Sequence, residues 1–287
     1  MAGQPAKISK VMVIVMENTS FDSVIGSHHA PTINALADGC GLAANYHGIQ
    51  FPSLPNYIQM TSGTVPSSIG GDGRRGSDCS PAPGCESTDP SIFSQLEGAG
   101  LSWRSYAESM PSNCFLQDAG NYAPRHNPAV YYIHDRPSCK KFDVPMGTTA
   151  AGALAEDLRR GVLPSYSFVV PNLCNDGHDS CGGISPVVEE DRFMAHWMPR
   201  IASSPDYKSG KLVVVLTADT SAGSDPSNHL ATIVISPLMQ PHTVSTADFN
   251  HYSLLRMTED VAGLATHLGA AAAAPDMLSA FGLSPAQ

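Results

Sequence analysis

The sequence predicts an α/β sandwich built on a mostly parallel sheet, and three observations carry that expectation. Short continuous apolar runs rich in β-branched residues, such as VMVIVM at 11–16, read as strands buried on both faces, as parallel sheets require. Stretches with helical spacing alternate with these runs along the chain. The 287 residues, 42% hydrophobic and 15% charged, suffice for one large core, so 1–287 is expected to be a single domain.

Taken in order, the strands are expected at 11–16, 166–170, 212–216 and 232–235, and the helices at 32–37, 91–99, 150–160, 191–202 and 251–262. Residues 63–90 and 107–148 show little periodicity and carry much of the Gly, Pro, Ser and Cys. They are expected to be loop-rich excursions over one face. With 25 glycines and 23 prolines, much of the chain must run in turns.

A formal charge of −10 excludes a broad basic surface for nucleic acid or anionic lipid, so an anionic substrate must be met by a metal or a few placed cations. The apolar runs fall far short of the roughly 20 residues of a membrane span, and no stable membrane association is expected.

Seven cysteines without a CxxC pair point to disulfides instead of a zinc ribbon. Cys79 with Cys85, Cys174 with Cys181 and Cys114 with Cys139 are the expected bridges, leaving Cys40 over. Such usage suggests a secreted or cell-envelope protein. The opening MAGQPAKISK shows no leader pattern, so the expectation is a signal segment missing from this sequence, with a cytosolic protein bearing free thiols as the alternative.

In open α/β sheets ligands gather where strands end, so the residues after each apolar run matter most. Glu17 and Asn18 follow the first run, Asp176, His178 and Asp179 follow the second, and Asp219 and Thr220 follow the third. Singly, Asn18, Asp176 and Asp219 would pass as helix caps. Together, carboxylate and amide oxygens suit a hard divalent cation, while imidazoles suit zinc or face a phosphate. For a nucleophile, Ser53 lies in PSLP, flanked by prolines ahead of an expected helix, where backbone N–H groups favour an anion.

The motifs VMVIVMENTSFDSVIG, APTINALA, FPSLPNYIQMTSG, YAPRHNPAVYY, FVVPNLCNDGHD, VVVLTADT and NHYSLLRMTED, in this order over roughly residues 10–265, resemble a bacterial family. It is the phosphoesterase family of acid phosphatases and phospholipases C, within the alkaline-phosphatase-like superfamily. The resemblance implies a three-layer α/β/α fold and one divalent metal ion, of a kind left open among Mg, Mn, Ca, Fe and Zn. It places the metal on Glu17, Asn18 and Asp219, a phosphoserine-forming nucleophile at Ser53, and catalytic histidines at His126, His178 and His251. Asn56, Arg125 and Asp176 fall on the substrate side, with Asp176, His178 and His251 where two-metal relatives keep a second ion. Trp103, Tyr106 and Glu108 would wall the pocket.

The expected function is thus a metal-dependent phosphomonoesterase acting on a small phosphorylated substrate, with a phospholipase C-type phosphodiesterase as the alternative. The family's pattern departs at Thr220, where a second acid is usual. A neutral hydroxyl binds a cation more weakly, so Asp225 or His229 is a candidate substitute, and a non-catalytic phosphoester-binding protein is the third reading. Each histidine also has a plain structural reading, as a solvated loop residue or beside a helix cap.

Overall fold

The computed structural model describes residues 8–71, 76–221 and 225–286. Its strands are β1 (Lys10–Met16), β2 (Gly41–Ala43), β3 (Tyr46–His47), β4 (Trp103–Ala107), β5 (Asp143–Pro145), β6 (Tyr166–Val170), β7 (Leu212–Ala218), β8 (Thr232–Ile235), β9 (Thr243–Ser245) and β10 (Phe249–Asn250). Eight of them form one sheet in the order β5-β4-β6-β1-β7-β8-β2-β9, and β3 pairs with β10. From β5 to β7 all neighbours are parallel, β8 runs antiparallel to β7 and β2, and β9 runs parallel to β2.

Strands β6, β7 and β8 are buried at every position and β1 at all but Lys10, which explains their unbroken apolar composition. Burying each valine of β7 contributes about 1.5–3 kcal/mol. The helix Ser53–Ser62 packs with His251–Val261, whereas Pro186–Ser203 packs with Pro31–Gly39 and Ala153–Arg160. These two groups cover the sheet.

The helix expected at 191–202 begins five residues earlier, at Pro186, because proline in the first turn gives up an N–H that would have no partner anyway. The stretches expected to be loop-rich, 63–90 and 107–148, also hold short regular elements. The second contains the helix Arg136–Phe142 and β5, an edge strand of the main sheet, and the first contains the short helix Ser67–Gly70; three- and four-residue elements are too short to show periodicity. Disulfides join Cys79 to Cys85, Cys114 to Cys139 and Cys174 to Cys181, and Cys40 is free. Among the described residues no helix is long and apolar enough to cross a membrane.

Candidate active site

Register builds the site. Met16 of β1 lies opposite Ala218 of β7, so Glu17 and Asp219 leave adjacent strands side by side. The Asp219 N–H donates to the Met16 carbonyl at 3.1 Å, and the Glu17 N–H donates to the Asp176 carbonyl at 2.7 Å, tying in the loop after β6. Asn18 turns away from the strand with φ of 52°, a left-handed conformation that asparagine tolerates better than most residues. Its Oδ1 accepts the Thr220 hydroxyl at 3.3 Å, so the threonine side chain holds that of Asn18.

The helix carrying Ser53 enters this edge from the side. Ser53 opens the helix, and its Oγ donates to Glu17 Oε2 at 2.9 Å; one turn later the Tyr57 hydroxyl donates to Glu17 Oε1 at 2.8 Å. Asp78 Oδ1 accepts the Leu54 N–H at 2.9 Å, placing a carboxylate over the same helix start. Both Tyr57 and Asp78 escaped the sequence reading. Tyr57 sits inside a noted motif, and only its i, i+4 spacing from Ser53 would have singled it out.

His126 lies between two acids, with Nε2 3.2 Å from Glu17 Oε1 and Nδ1 3.1 Å from Asp176 Oδ2, and its ring stacks on Tyr57 with centroids 5.5 Å apart. His178 is half-buried nearby, its Nδ1 2.8 Å from Asp179 Oδ1 and its N–H donating to Asp176 Oδ1 at 2.8 Å. Glu17, His126 and His178 each offer one atom in a group spanning less than 4.8 Å. Arg125 is partly buried and pairs with Asp118 at 3.5 Å, close enough for its charge to act on His126.

Three buried carboxylates share this space, and among the described residues no lysine or arginine is buried with them. Burial, then Asp219 and Asp176, hold Glu17 well above the usual carboxylate range. Burial pushes Asp219 up to about 8 and Asp176 up to about 7. His126 is held well below its usual value by burial, Arg125 and His178, so it stays a neutral imidazole with one N–H to donate. Among the described residues, both Asp219 side-chain oxygens and His126 Nε2 are buried without a hydrogen-bond partner. Unpaired oxygens beside excess negative charge are what a divalent cation satisfies, so Glu17, Asn18 and Asp219 fit the ion the resemblance implies.

Several expectations change. His251 is fully buried, with Nε2 2.6 Å from the Asp219 carbonyl and Nδ1 3.0 Å from the Tyr46 hydroxyl. A carbonyl only accepts, so the proton is on Nε2, and both ring nitrogens are spent on holding Asp219 in place. A catalytic or metal-binding task for His251 is therefore withdrawn. Asn56 likewise has nothing left for a substrate. Its Oδ1 accepts the Ile49 and Gln50 N–H groups, and its Nδ2 donates to the Gln50 and Pro52 carbonyls, clamping the turn around the cis Phe51–Pro52 bond. Neither proposed substitute for a second acid reaches the site. His229 Nε2 meets the Ala44 carbonyl at 3.0 Å and its ring stacks on Phe21, while Asp225 caps its own turn at Ser227.

Asp176 stands apart from a substrate-binding task as well, since its two oxygens face His126 and the His178 N–H, orienting both. Glu108 is no wall residue alone. It accepts the Asn172 N–H at 3.0 Å and the Asn175 side-chain amide at 2.9 Å, bracing the loop that presents Asp176 and His178.

The chain is similar to known phosphatases. The chain is 28% identical over 255 residues to a phosphatidylinositol-3-phosphatase of Mycobacterium tuberculosis, covering 88% of this chain and 77% of that one. It is 26% identical to a probable acid phosphatase of Kluyveromyces lactis over 284 residues, covering 92% of this chain but 61% of the yeast protein. In fold it matches an alkaline phosphatase superfamily protein of Vibrio parahaemolyticus with a TM-score of 0.65 at 12% identity, over 96% of this chain and 72% of that one. The phosphoesterase family's sequence profile matches residues 27–265, and the chain belongs to that family.

Proposed function

We propose that this phosphoric-ester hydrolase is a metal-dependent phosphomonoesterase that works through a phosphoserine at Ser53. The observation that carries the reading is the convergence of Ser53 Oγ on Glu17 Oε2 at 2.9 Å beside the unpartnered carboxylate of Asp219. A divalent ion held by Glu17, Asn18 and Asp219 would lower the pKa of the serine hydroxyl and offset charge on the phosphoryl oxygens.

The chain's own groups do the rest. Glu17 Oε2 already accepts the Ser53 proton, orienting a lone pair of Oγ toward the substrate. Attack passes the hydroxyl proton to Glu17 Oε2, forms the Oγ–P bond and breaks the bond from phosphorus to the leaving oxygen, which takes a proton from His178, the imidazole of the site nearest solvent. A water then releases phosphate from Ser53, with His178 as the base. Arg125 at the mouth pairs with a phosphoryl oxygen through charge-assisted hydrogen bonds.

The test is hydrolysis of an aryl phosphate and of its matched diester. The reading expects release from the monoester, loss on chelation, recovery with added divalent ion, and no turnover by Ser53→Ala. Preferential cleavage of the diester would favour the phosphodiesterase reading. Ligand binding without turnover under every ion tried would favour the binding-protein reading.

A further inference from the structure

Glu190 is a buried acid that the proposed reaction does not use. It is 1% exposed, on the helix Pro186–Ser203, and forms no ion pair among the described residues. Its Oε1 meets the Thr19 hydroxyl, and that same hydroxyl lies 2.6 Å from the Glu17 carbonyl. On its other flank it packs against Gly177, where φ is +90° and a Cβ would lie 1.9 Å from Glu190 Oε1. One carboxyl therefore touches the chain just past Glu17 and Asn18 and the chain just past Asp176.

Proton counting fixes its state. The Thr19 hydroxyl carries one hydrogen, and the Glu17 carbonyl can only accept it. With that hydrogen on the carbonyl, the hydroxyl has none for Glu190, so the hydrogen between them must come from the acid. The charged groups acting on Glu190 are the carboxylates of Asp176 and Asp191, and among the described residues no cation favours its ionisation.

We propose that Glu190 is a neutral carboxylic acid that donates to Thr19 and so acts as a strut, fixing the loop after β1 and the loop after β6 at the separation that the ion and His126 need. Glu190 is thus a positioning residue for Glu17 and Asn18, a statement that rests on the function proposed above. The glycine at 177 is the other half of the device, since any side chain there would push the strut away.

Two readouts test this without measuring turnover. The infrared difference spectrum of wild type minus Glu190→Gln at neutral pH should contain the carbonyl band of a protonated carboxylic acid; a carboxylate pair of bands in its place overturns the proposal. In calorimetric titration with manganese, Glu190→Gln, which can still donate to Thr19, should keep the wild-type affinity. Glu190→Leu, similar in bulk but unable to donate, should lose affinity by about 10–100-fold, as when a hydrogen bond behind a metal ligand is removed. Equal losses in both variants would make Glu190 an anion acting by charge, and equal retention would make it filler. Either result contradicts the strut. If the wild-type protein takes up no divalent ion, the metal reading itself falls, and the infrared band still decides the state of Glu190.

Discussion

The chain buries carboxylates in two places and treats them oppositely. Under the disulfide between Cys114 and Cys139, Asp143 is fully buried, and the Asn127 side-chain amide donates to both of its oxygens at 3.0 and 2.9 Å. At the carboxyl edge of the sheet Asp219 is equally buried; the Ser53 hydroxyl and the Thr220 N–H lie close enough to favour its charge, yet among the described residues no donor meets either of its oxygens in good hydrogen-bond geometry. Burial raises both acids, Asp143 to about 7 and Asp219 to about 8. A raised pKa therefore does not separate a structural acid from a functional one. The hydrogen-bond inventory separates these two, since the protein satisfies Asp143 and leaves Asp219 open, as the proposed ion would require.

The largest effect expected from this contrast is at the open site. Ser53→Ala should lower turnover of an aryl phosphate on the order of 10^4-fold or more, because the nucleophile has no replacement nearby. Asp219→Asn should weaken divalent-ion affinity at least as much as the roughly 10–100-fold seen for groups behind a ligand. At about pH 9, above the value of about 8 to which burial pushes Asp219, the same variant should raise the melting temperature of the metal-free protein by removing an unsatisfied buried charge. Asp143→Ala should do the reverse, destabilising the fold by about 1–3 kcal/mol while leaving ion affinity unchanged, because the Asn127 amide loses its acceptor. Opposite signs in thermal melts would uphold the contrast, and equal signs would break it.

Acidity offers a further separation. For an acid whose folded pKa lies above its unfolded value, the folded state binds the proton more tightly, so stability is greatest below the unfolded value and declines up to the folded one. The metal-free protein should accordingly melt at falling temperatures between about pH 4 and pH 8, from Asp143, Asp176 and Asp219 together. Adding a divalent ion should flatten only the part due to the open site, and Asp143→Asn only the other part. The smallest change is expected at the mouth, where Arg125→Ala should raise KM for the monoester by about 5–10-fold with kcat little altered, as for a contact made equally in ground and transition states.

Much of this edge was legible in the sequence, since apolar strands announce where they end and Glu17, Asp176 and Asp219 sit at or soon after three such ends. Ser53 stands out in the sequence because prolines bracket it, but its expected task as nucleophile comes from the family resemblance. The fates of the histidines were not legible. His251 differs from His126 only in its partners, and those partners, Tyr46 and the Asp219 carbonyl, lie 205 and 32 residues away in the chain. Asn56 misled for the opposite reason. Its amide turns back on residues 49–52, and local backbone clamps of this kind leave no mark on composition or periodicity. Glu190, 171 residues from the Thr19 it meets, reads in sequence as one more acid in a helix.

Acid quenching during turnover of an aryl phosphate, followed by peptide mapping, tests most directly whether an ion-assisted serine attacks phosphorus. Phosphate found on Ser53, and absent when the divalent ion has been removed, is the predicted result. A phosphorylated histidine, or turnover that never labels the peptide around Ser53, would contradict it.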